Sequence, residues 1–383
     1  MPCAAASDLS AGGHWTANCT AFNLMLQLRR FREASVPATL NRSPIHAIKK
    51  ASAMPILSRR SFAKQVSCFV PGLAMLPLTS SAQSDTGTGK IIVGYPPGGT
   101  LDQTARKLAE SWRVQGRSYV VDNRPGAAGR IANGQLKRER ADGSSLLCTH
   151  TSAMTIYPHV YTSLSYTPAI DMKAVGSLAA ATGVLAVSSA VPASVRTLPD
   201  YVAWLKANEA GRTYASPAAG SLAQFLGFRF SQATGVPLAH VGYRGSAPAM
   251  QDLLGGQIPA YLGFVGDFLQ YLGGDRIRLL AVTSDKRSRF LPQVPTFSEQ
   301  GFATVVGIES YGIFAPANTP DGVTATLSAA VRDASRDKTL ISGLEQIGLE
   351  SRYLDAADYS RLISVESERW KPVVEASGFK AEA

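Results

Sequence analysis

Short apolar runs alternate with amphipathic segments along most of this 383-residue chain. Residues 91–93 read Ile-Ile-Val, which is typical of a buried strand, and the Pro-Pro-Gly-Gly of residues 96–99 ends that strand. Thr100 followed by Gln103 matches a capping box, so we expect a helix to open there. Its apolar side recurs at 3.6-residue spacing and consists of Leu101, Ala105, Leu108, Ala109 and Trp112. A helix start beside two glycines presents free backbone N–H groups and suits an anion.

The same strand-turn-helix order returns further along the chain. We expect strands at residues 119–121, at 183–189 and at 278–283, and a further strand that ends near residue 149. We expect helices at residues 198–207 and through much of the chain after 319. Strands that alternate with helices predict a mainly parallel sheet, whose ligands bind at the carboxyl ends of the strands. The loops that follow Val93, Val121 and Leu147 are therefore candidates for one wall of a site.

The formal net charge of +10 comes largely from the first 82 residues, which hold nine Lys or Arg and two acidic residues. The remainder has 38 − 9 = 29 basic and 28 − 2 = 26 acidic residues, a net charge of +3. This balance, with no nucleic-acid motif, argues against a nucleic-acid partner.

An export signal explains that charge. Residues 54–82 hold a twin-arginine pattern at Arg59 and Arg60, an apolar stretch too short to span a bilayer, and small residues before a cleavage point after Ala82. We therefore expect a periplasmic protein, with residues 1–53 as a non-native upstream extension and Met54 as the better start. The alternative is a buried helix with a chance Arg-Arg pair.

Cysteine usage agrees with export. Three of the four cysteines precede residue 83, so the exported chain would keep only Cys148 and no internal disulfide. Cys148 ends an apolar run, and we expect it to be a small buried hydrophobe rather than a nucleophile.

Three turns carry hydrogen-bond donors just before helices. They are Gly98-Gly99-Thr100, the loop with Ser216, Gly220 and Ser221, and the loop with Tyr243, Gly245 and Ser246. Each has an ordinary alternative, a strand-to-helix turn or a serine N-cap.

Other site chemistries find little support. The chain lacks a phosphate-binding Walker loop, a dinucleotide fingerprint, a zinc-ligand spacing and a nucleophile elbow. We expect neither a cofactor nor a metal. Ser-His-acid catalysis stays open at this stage, because such triads are recognised by geometry.

Seven stretches, in order over residues 90–383, resemble the periplasmic substrate-binding proteins of tripartite tricarboxylate transporters, the Bug receptors. They are YPPGGTLDQTARKLAE, VVDNRPGAAGRIA, ADGSSLL, YASPAAGS, HVGYRGSAPAMQDLLGGQIP, RLLAVTSDKRSRFLPQVPTFSEQG and YGIFAPANTP. The resemblance implies a two-lobed α/β periplasmic binding protein (Venus flytrap, type II-like) with mainly parallel sheets flanked by helices. Lobe 1 would hold residues 84–186 plus 310–383, and lobe 2 residues 187–309.

The resemblance also implies that the turn at 98–100 receives a ligand carboxylate, partly through ordered waters. Asp102 matches the family's pattern, although we interpret it as mostly structural, paired with Arg106. The candidate ligand-binding residues are Tyr95, Pro97, Gly98, Gly99, Thr100, Asp102, Thr149, Thr151, Ser216, Gly220, Ser221, Tyr243, Gly245, Ser246 and Gly263.

Four positions depart from the family's pattern and bear on the ligand. Gly263 and Phe264 stand where an acidic or amide pair is common, Gln224 where a His is common, and Ser310 where a Trp is common. We expect a monomeric receptor that captures a small organic acid, for the membrane subunits of a tripartite transporter or as an orphan receptor for a sensor protein. The alternative is a periplasmic hydrolase or isomerase that uses the same cleft.

Overall fold

The computed structural model describes residues 87–381, so the predicted export signal and the segment before it lie outside the described residues. The strands are β1 (Gly89–Val93), β2 (Tyr119–Asn123), β3 (Ser145–His150), β4 (Met172–Ser188), β5 (Thr213–Ser216), β6 (Ala239–Gly242), β7 (Ala260–Phe264), β8 (Ile277–Val282), β9 (Ile308–Pro316) and β10 (Glu350–Leu354). The helices are α1 (Thr100–Val114), α2 (Arg130–Leu136), α3 (Ser152–Thr155), α4 (Tyr157–Val160), α5 (Pro168–Asp171), α6 (Leu198–Ala207), α7 (Leu222–Thr234), α8 (Ser246–Leu254), α9 (Val265–Phe268), α10 (Asp321–Ala334), α11 (Lys338–Glu345) and α12 (Ala356–Ser377).

The strands form one path in the order β2-β1-β3-β9-β4-β7-β5-β6, and β8 and β10 also pair with β4. Strand β1 is parallel to β2 and β3, and β5 is parallel to β6 and β7. The predicted two-lobed α/β fold is confirmed, with two groups of parallel strands flanked by helices. The sheet is mixed rather than mainly parallel, because β4 pairs antiparallel with β7, β8, β9 and β10, and β3 with β9. We call β2-β1-β3 with its helices the first half, and β7-β5-β6 with its helices the second half.

Two antiparallel strands connect the halves. Residues 172–182 of β4 pair with β9, and residues 183–187 then pair with β7. The sequence pattern indicated a strand only from Gly183, because glycine and alanine dominate the earlier part of β4 and give no alternating pattern. Nearly every residue of β4 is buried, since both faces of this strand are covered.

The strand directions make the carboxyl edges of the two halves face each other. Strand β3 is antiparallel to β9 and therefore runs in the same direction as β4, whereas β7 is antiparallel to β4. The carboxyl end of β3 lies level with Ala179, since His150 pairs with Tyr311 and Tyr311 with Ala179. The carboxyl end of β7 lies level with Gly183. The two edges are thus separated by four residues of β4, about 13 Å.

Each half has its own apolar core. The predicted apolar side of α1 is confirmed, because Leu101, Ala105, Leu108 and Trp112 are at most 5% exposed. Burial of a side chain such as Leu stabilises the fold by roughly 1.5–3 kcal/mol. The core of the second half includes Phe225, Phe230 and Phe297, and α12 adds Trp370, Val373 and Val374 to it. Tyr359 of the same helix lies in the core of the first half, so the last helix packs against both halves.

A close backbone contact joins the halves beside the crossing strands. Gly348, between α11 and β10, has a φ of +72°, and a Cβ at this position would lie 2.4 Å from the amide nitrogen of Gly266 in α9. Since no side chain fits between these two glycines, the halves touch here through backbone alone.

Candidate functional site

The start of α1 lies at the carboxyl end of β1 and has no side-chain cap. Gln103 N donates to Gly99 O at 2.9 Å, which makes Gly99 the N-cap and Thr100 the first helical residue. The predicted capping box is therefore wrong, because the Thr100 hydroxyl stands one position too late. The Gln103 side chain instead donates to Gly98 O at 2.8 Å.

This helix start leaves backbone donors open to the cleft. The N–H groups of the first helical turn have no acceptor within a helix, and no side chain caps those of Thr100 and Leu101. The φ of +87° at Gly98 turns the chain into this position. Open donors together with the positive end of the helix dipole suit a carboxylate.

Asp102 stabilises the turn through hydrogen bonds to its carboxyl. Its carboxyl accepts hydrogen bonds from Gly98 N (2.8 Å), Asn123 Nδ2 (2.8 Å) and Arg106 Nε (2.9 Å). Burial alone would raise the pKa of Asp102, but these hydrogen bonds lower it overall. The side chain is about 1% exposed, so it positions the turn rather than contacting solvent.

Aromatic side chains line the first edge beside this turn. The Tyr95 hydroxyl donates to Ala128 O at 3.1 Å and lies 2.9 Å from His150 Nε2, and the Tyr157 hydroxyl also donates to Ala128 O. Burial lowers the pKa of His150 to about 4, so the imidazole is neutral at physiological pH. The sequence pattern did not indicate His150 as a member of this site, because only the fold brings it to Tyr95.

The end of β3 is tied to the crossing strand β9. Thr149 is buried and pairs with Gly312. The Thr151 hydroxyl donates to Ser310 O at 2.9 Å. Glu309 accepts from Ser152 N at 2.9 Å and from the Ser152 hydroxyl, and burial raises the pKa of Glu309 to about 7. The sequence pattern gave no signal for Glu309, which lies next to Ser310 in a strand of mostly apolar residues.

On the second edge, many polar groups of the loop after β5 form hydrogen bonds within the loop itself. Ser216 Oγ lies 2.8 Å from His240 Nε2 and donates to Ala218 O, and Ser216 is fully buried. Ser221 is the N-cap of α7, where its hydroxyl accepts from Gln224 N, and Gly220 N donates to Gln224 Oε1. Capping, the alternative considered for Ser221, is therefore observed.

The loop after β6 leads to a second uncapped helix start. The Tyr243 hydroxyl donates to Asp252 in α8 at 2.7 Å. Gly245 is the N-cap of α8, with a φ of +109° and no side-chain cap, and no atom lies within 4 Å of a Cβ built there. Gly263, near the end of β7, lies on the same edge, because β7 and β6 are both parallel to β5.

The fold thus gathers the candidate residues at two facing edges. Tyr95, Pro97, the 98–100 turn, Asp102, Thr149 and Thr151 lie at the first edge, and the others at the second. The edges approach each other at Gly220, whose Cβ would lie 3.8 Å from the Tyr161 hydroxyl. The Arg130 guanidinium lies 4.0 Å from the centroid of the Tyr161 ring. The sequence pattern did not single out Arg130 or Tyr161 for the site.

Two surface cavities lie elsewhere. One of about 340 Å³ is lined by Arg196 and Arg278, and one of about 940 Å³ by Lys90 and Glu139. Both adjoin the amino ends of strands and contain none of the candidate residues. The facing edges form the candidate site, because the carboxyl ends of the parallel strands and the open N–H groups of helix starts converge there.

The burial of the Glu309 carboxyl can be tested through the pH dependence of stability. Its pKa of about 7 in the folded protein exceeds the ordinary value of 4.5, so the wild-type protein loses stability as the pH rises from about 4.5 to 7. Glu309→Gln does not ionise and should escape this loss. We expect the free energy of unfolding of the variant, minus that of wild type, to rise by roughly 3 kcal/mol between pH 4 and pH 8 in urea titrations.

Glu299→Gln is the matched control. Glu299 accepts from Thr296 N, and this hydrogen bond lowers its pKa, so the same difference should move in the opposite direction with pH. A pH-independent difference for Glu309→Gln would show that this carboxyl is not buried as described.

Comparisons with known proteins agree with the geometry. The sequence profile of the tripartite tricarboxylate transporter family receptor matches residues 104–379. BugT of Bordetella pertussis is 30% identical over 297 residues, which cover 76% of this chain and 89% of BugT. A solved structure of an R. palustris protein with adipate is 28% identical with a TM-score of 0.69, and covers 77% of this chain and 98% of its own.

The solved periplasmic binding protein BugD is 26% identical with a TM-score of 0.67, over 77% of this chain and 99% of BugD. Within residues 87–381, no helix has the length and apolar character needed to cross a bilayer. The chain belongs to the tripartite tricarboxylate transporter receptor family, among the Bug proteins.

Proposed function

We propose that this protein is a periplasmic receptor that captures a small carboxylate between its two halves. The observation that carries the proposal is the uncapped start of α1, which opens toward the facing edge of the second half. A ligand carboxylate would accept hydrogen bonds from the N–H groups of Thr100 and Leu101. Charge-assisted hydrogen bonds of this kind are about twice as strong as neutral ones.

Two further features support a carboxylate ligand. The related R. palustris protein was solved with adipate. On the first edge, the Arg130 guanidinium lies over the Tyr161 ring, and its only hydrogen bond to a described residue is the one that Nε donates to Ala127 O. Arg130 would add positive potential close to the start of α1.

The ligand would close the two halves around itself. Because contacts to both edges exist only when the edges are near each other, binding favours the closed arrangement. The crossing strands β4 and β9 would act as the hinge, between lobe 1 (residues 84–186 plus 310–383) and lobe 2 (residues 187–309). The closed receptor would deliver its ligand to membrane subunits of a tripartite transporter, or bind to a sensor protein.

The geometry gives little support to a hydrolase. Ser216 and His240 form a Ser-His hydrogen bond, but Ser216 is 0% exposed and donates to Ala218 O. Burial lowers the pKa of His240 to about 4, which makes it a weak base at neutral pH. A nucleophile that a substrate cannot reach does not carry catalysis.

Gly99→Val tests the role of the helix start. Gly99 has a φ of −73°, and only Pro96 O lies near a Cβ built there, at 3.5 Å, so the fold should tolerate a side chain. The valine would instead obstruct the approach of the carboxylate. Loss of hydrogen bonds to a charged group costs about 1.5–3 kcal/mol, a roughly ten- to hundredfold loss of affinity.

Calorimetry measures the affinity of both proteins for the acid that binds most tightly among a panel of four- to six-carbon acids, and for the uncharged amide of that acid. Wild type should prefer the acid strongly, and Gly99→Val should not. Gly274→Val is the control, because its Cβ would also meet a single carbonyl at 3.5 Å, at the amino end of β8. Equal binding of acid and amide by wild type, or normal acid binding by Gly99→Val, would refute the role.

We further propose that residues 54–82 direct export by the twin-arginine route. The double substitution Arg59→Lys with Arg60→Lys should leave precursor in the cytoplasm, as measured by cell fractionation, because recognition depends on both arginines. The upstream pair Arg29 and Arg30, changed in the same way, is the control and should have no effect. Normal export of the first variant, or a mature protein that begins well before Gln83, would exclude this signal.

A further inference from the structure

A carboxylate of the protein itself lies at the second edge. Asp267, in the first turn of α9, accepts hydrogen bonds at Oδ2 from Phe264 N (2.9 Å) and from the Tyr261 hydroxyl (3.0 Å). The Ser246 hydroxyl, at the first residue of α8, is a further donor near this carboxyl and acts to lower its pKa. Asp267 therefore lies between the carboxyl end of β7 and the uncapped start of α8, where that helix would otherwise attract an external anion.

Gly263 leaves the room that this arrangement needs. A Cβ at Gly263 would lie 2.6 Å from Asp267 Oδ2 and 2.3 Å from Tyr261 Cε1. The carboxylate and the phenol ring thus occupy the volume that a side chain at 263 would fill. The chemistry of this part of the edge comes from Asp267.

The charge of Asp267 has no cationic partner among residues 87–381. No ion pair involves it there, and its side chain is only partly buried. Burial raises the pKa of Asp267 above its ordinary value, and the donors at Phe264 N, Ser246 and Tyr261 oppose that rise. Burial raises the pKa of Tyr311 well above its usual value, and the charges of Glu309 and Asp267 raise it further. Asp267 follows the carboxyl end of β7 by three residues, which places it at the second edge.

The two edges of the cleft consequently differ in electrostatic character. The first edge offers the positive start of α1 and the Arg130 guanidinium. The second edge offers an unpaired carboxylate. A ligand with a carboxylate at each end would place one of them against Asp267, and two like charges at short range repel each other.

We propose that Asp267 is a specificity-determining residue, which excludes a second carboxylate from this side of the cleft and hydrogen-bonds to a donor on the ligand. The preferred ligand is then a monocarboxylate with an ammonium or hydroxyl group at its far end. This inference rests on the proposed carboxylate-receptor function and specifies its ligand class.

The test uses three probes of equal length, adipate, 6-aminohexanoate and hexanoate, together with their five- and four-carbon homologues. Calorimetry on wild type should rank the amino acid above the plain acid and the diacid last. Asp267→Asn should improve binding of the diacid about tenfold, weaken binding of the amino acid, and leave the plain acid within about twofold.

Asp200→Asn is the matched control. Asp200 stands at the third position of α6 and accepts from the N-cap nitrogen of Thr197 at 3.0 Å, as Asp267 accepts from Phe264 N at the start of α9. Its substitution should leave the ranking of the probes unchanged. The ranking by wild type needs no variant, so the inference can be judged even if Asp267→Asn does not fold.

The outcomes separate this inference from the function on which it rests. Diacids that bind wild type at least as tightly as the amino acids, or a ranking that Asp267→Asn leaves unchanged, would overturn the role of Asp267 while the receptor function stands. The first result would instead point to the exposed Arg244 as the holder of a second carboxylate. Binding of no probe at all would remove both the inference and the carboxylate-receptor function.

Discussion

The antiparallel pairing of β4 with β9 determines how the two halves are oriented. Strand β4 leaves the first half in the direction of β1 and β3 and enters the second half, where β5, β6 and β7 run against it. The carboxyl ends of both groups of parallel strands therefore point at each other. Without this reversal, the donor-bearing loops of the two halves would lie at opposite ends of the molecule.

Two facing edges can bind a polar ligand only if some of their hydrogen-bonding groups lack a partner within the protein. The two edges differ in how many such groups they leave. The loop after β5 uses Ser216, Ser221 and Gln224 to bond its own backbone. The start of α1 leaves its donors open, since Asp102 bonds Gly98 from the side away from the cleft. In the proposed receptor, an anion would therefore be bound chiefly at the first edge, whereas Asp267 at the second edge would shape the choice of ligand.

Local patterns in the sequence predicted much of the fold and one part of the site. The apolar spacing of α1 and the strand at residues 91–93 followed from local pattern, and the glycine turn marked the helix start. The predicted capping box was wrong because Gly99 and Thr100 are both acceptable N-cap residues. Only the backbone hydrogen bonds show that Gly99 is the N-cap. His150, Glu309 and Asp267 could not be predicted, because their partners lie far away in sequence or in a neighbouring turn. The role of Gly263 likewise depends on the ring of Tyr261 beside it.

In the proposed receptor, a ligand carboxylate accepts hydrogen bonds from the N–H groups at the start of α1. The most direct measurement is the ¹H–¹⁵N NMR spectrum of the labelled protein, titrated with the tightest acid of the panel and with its amide. We expect the acid to shift the amide protons of Thr100 and Leu101 strongly downfield. The same acid should affect Leu222, at the capped start of α7, much less. Saturation with the acid that leaves the Thr100 and Leu101 signals unmoved would contradict this expectation.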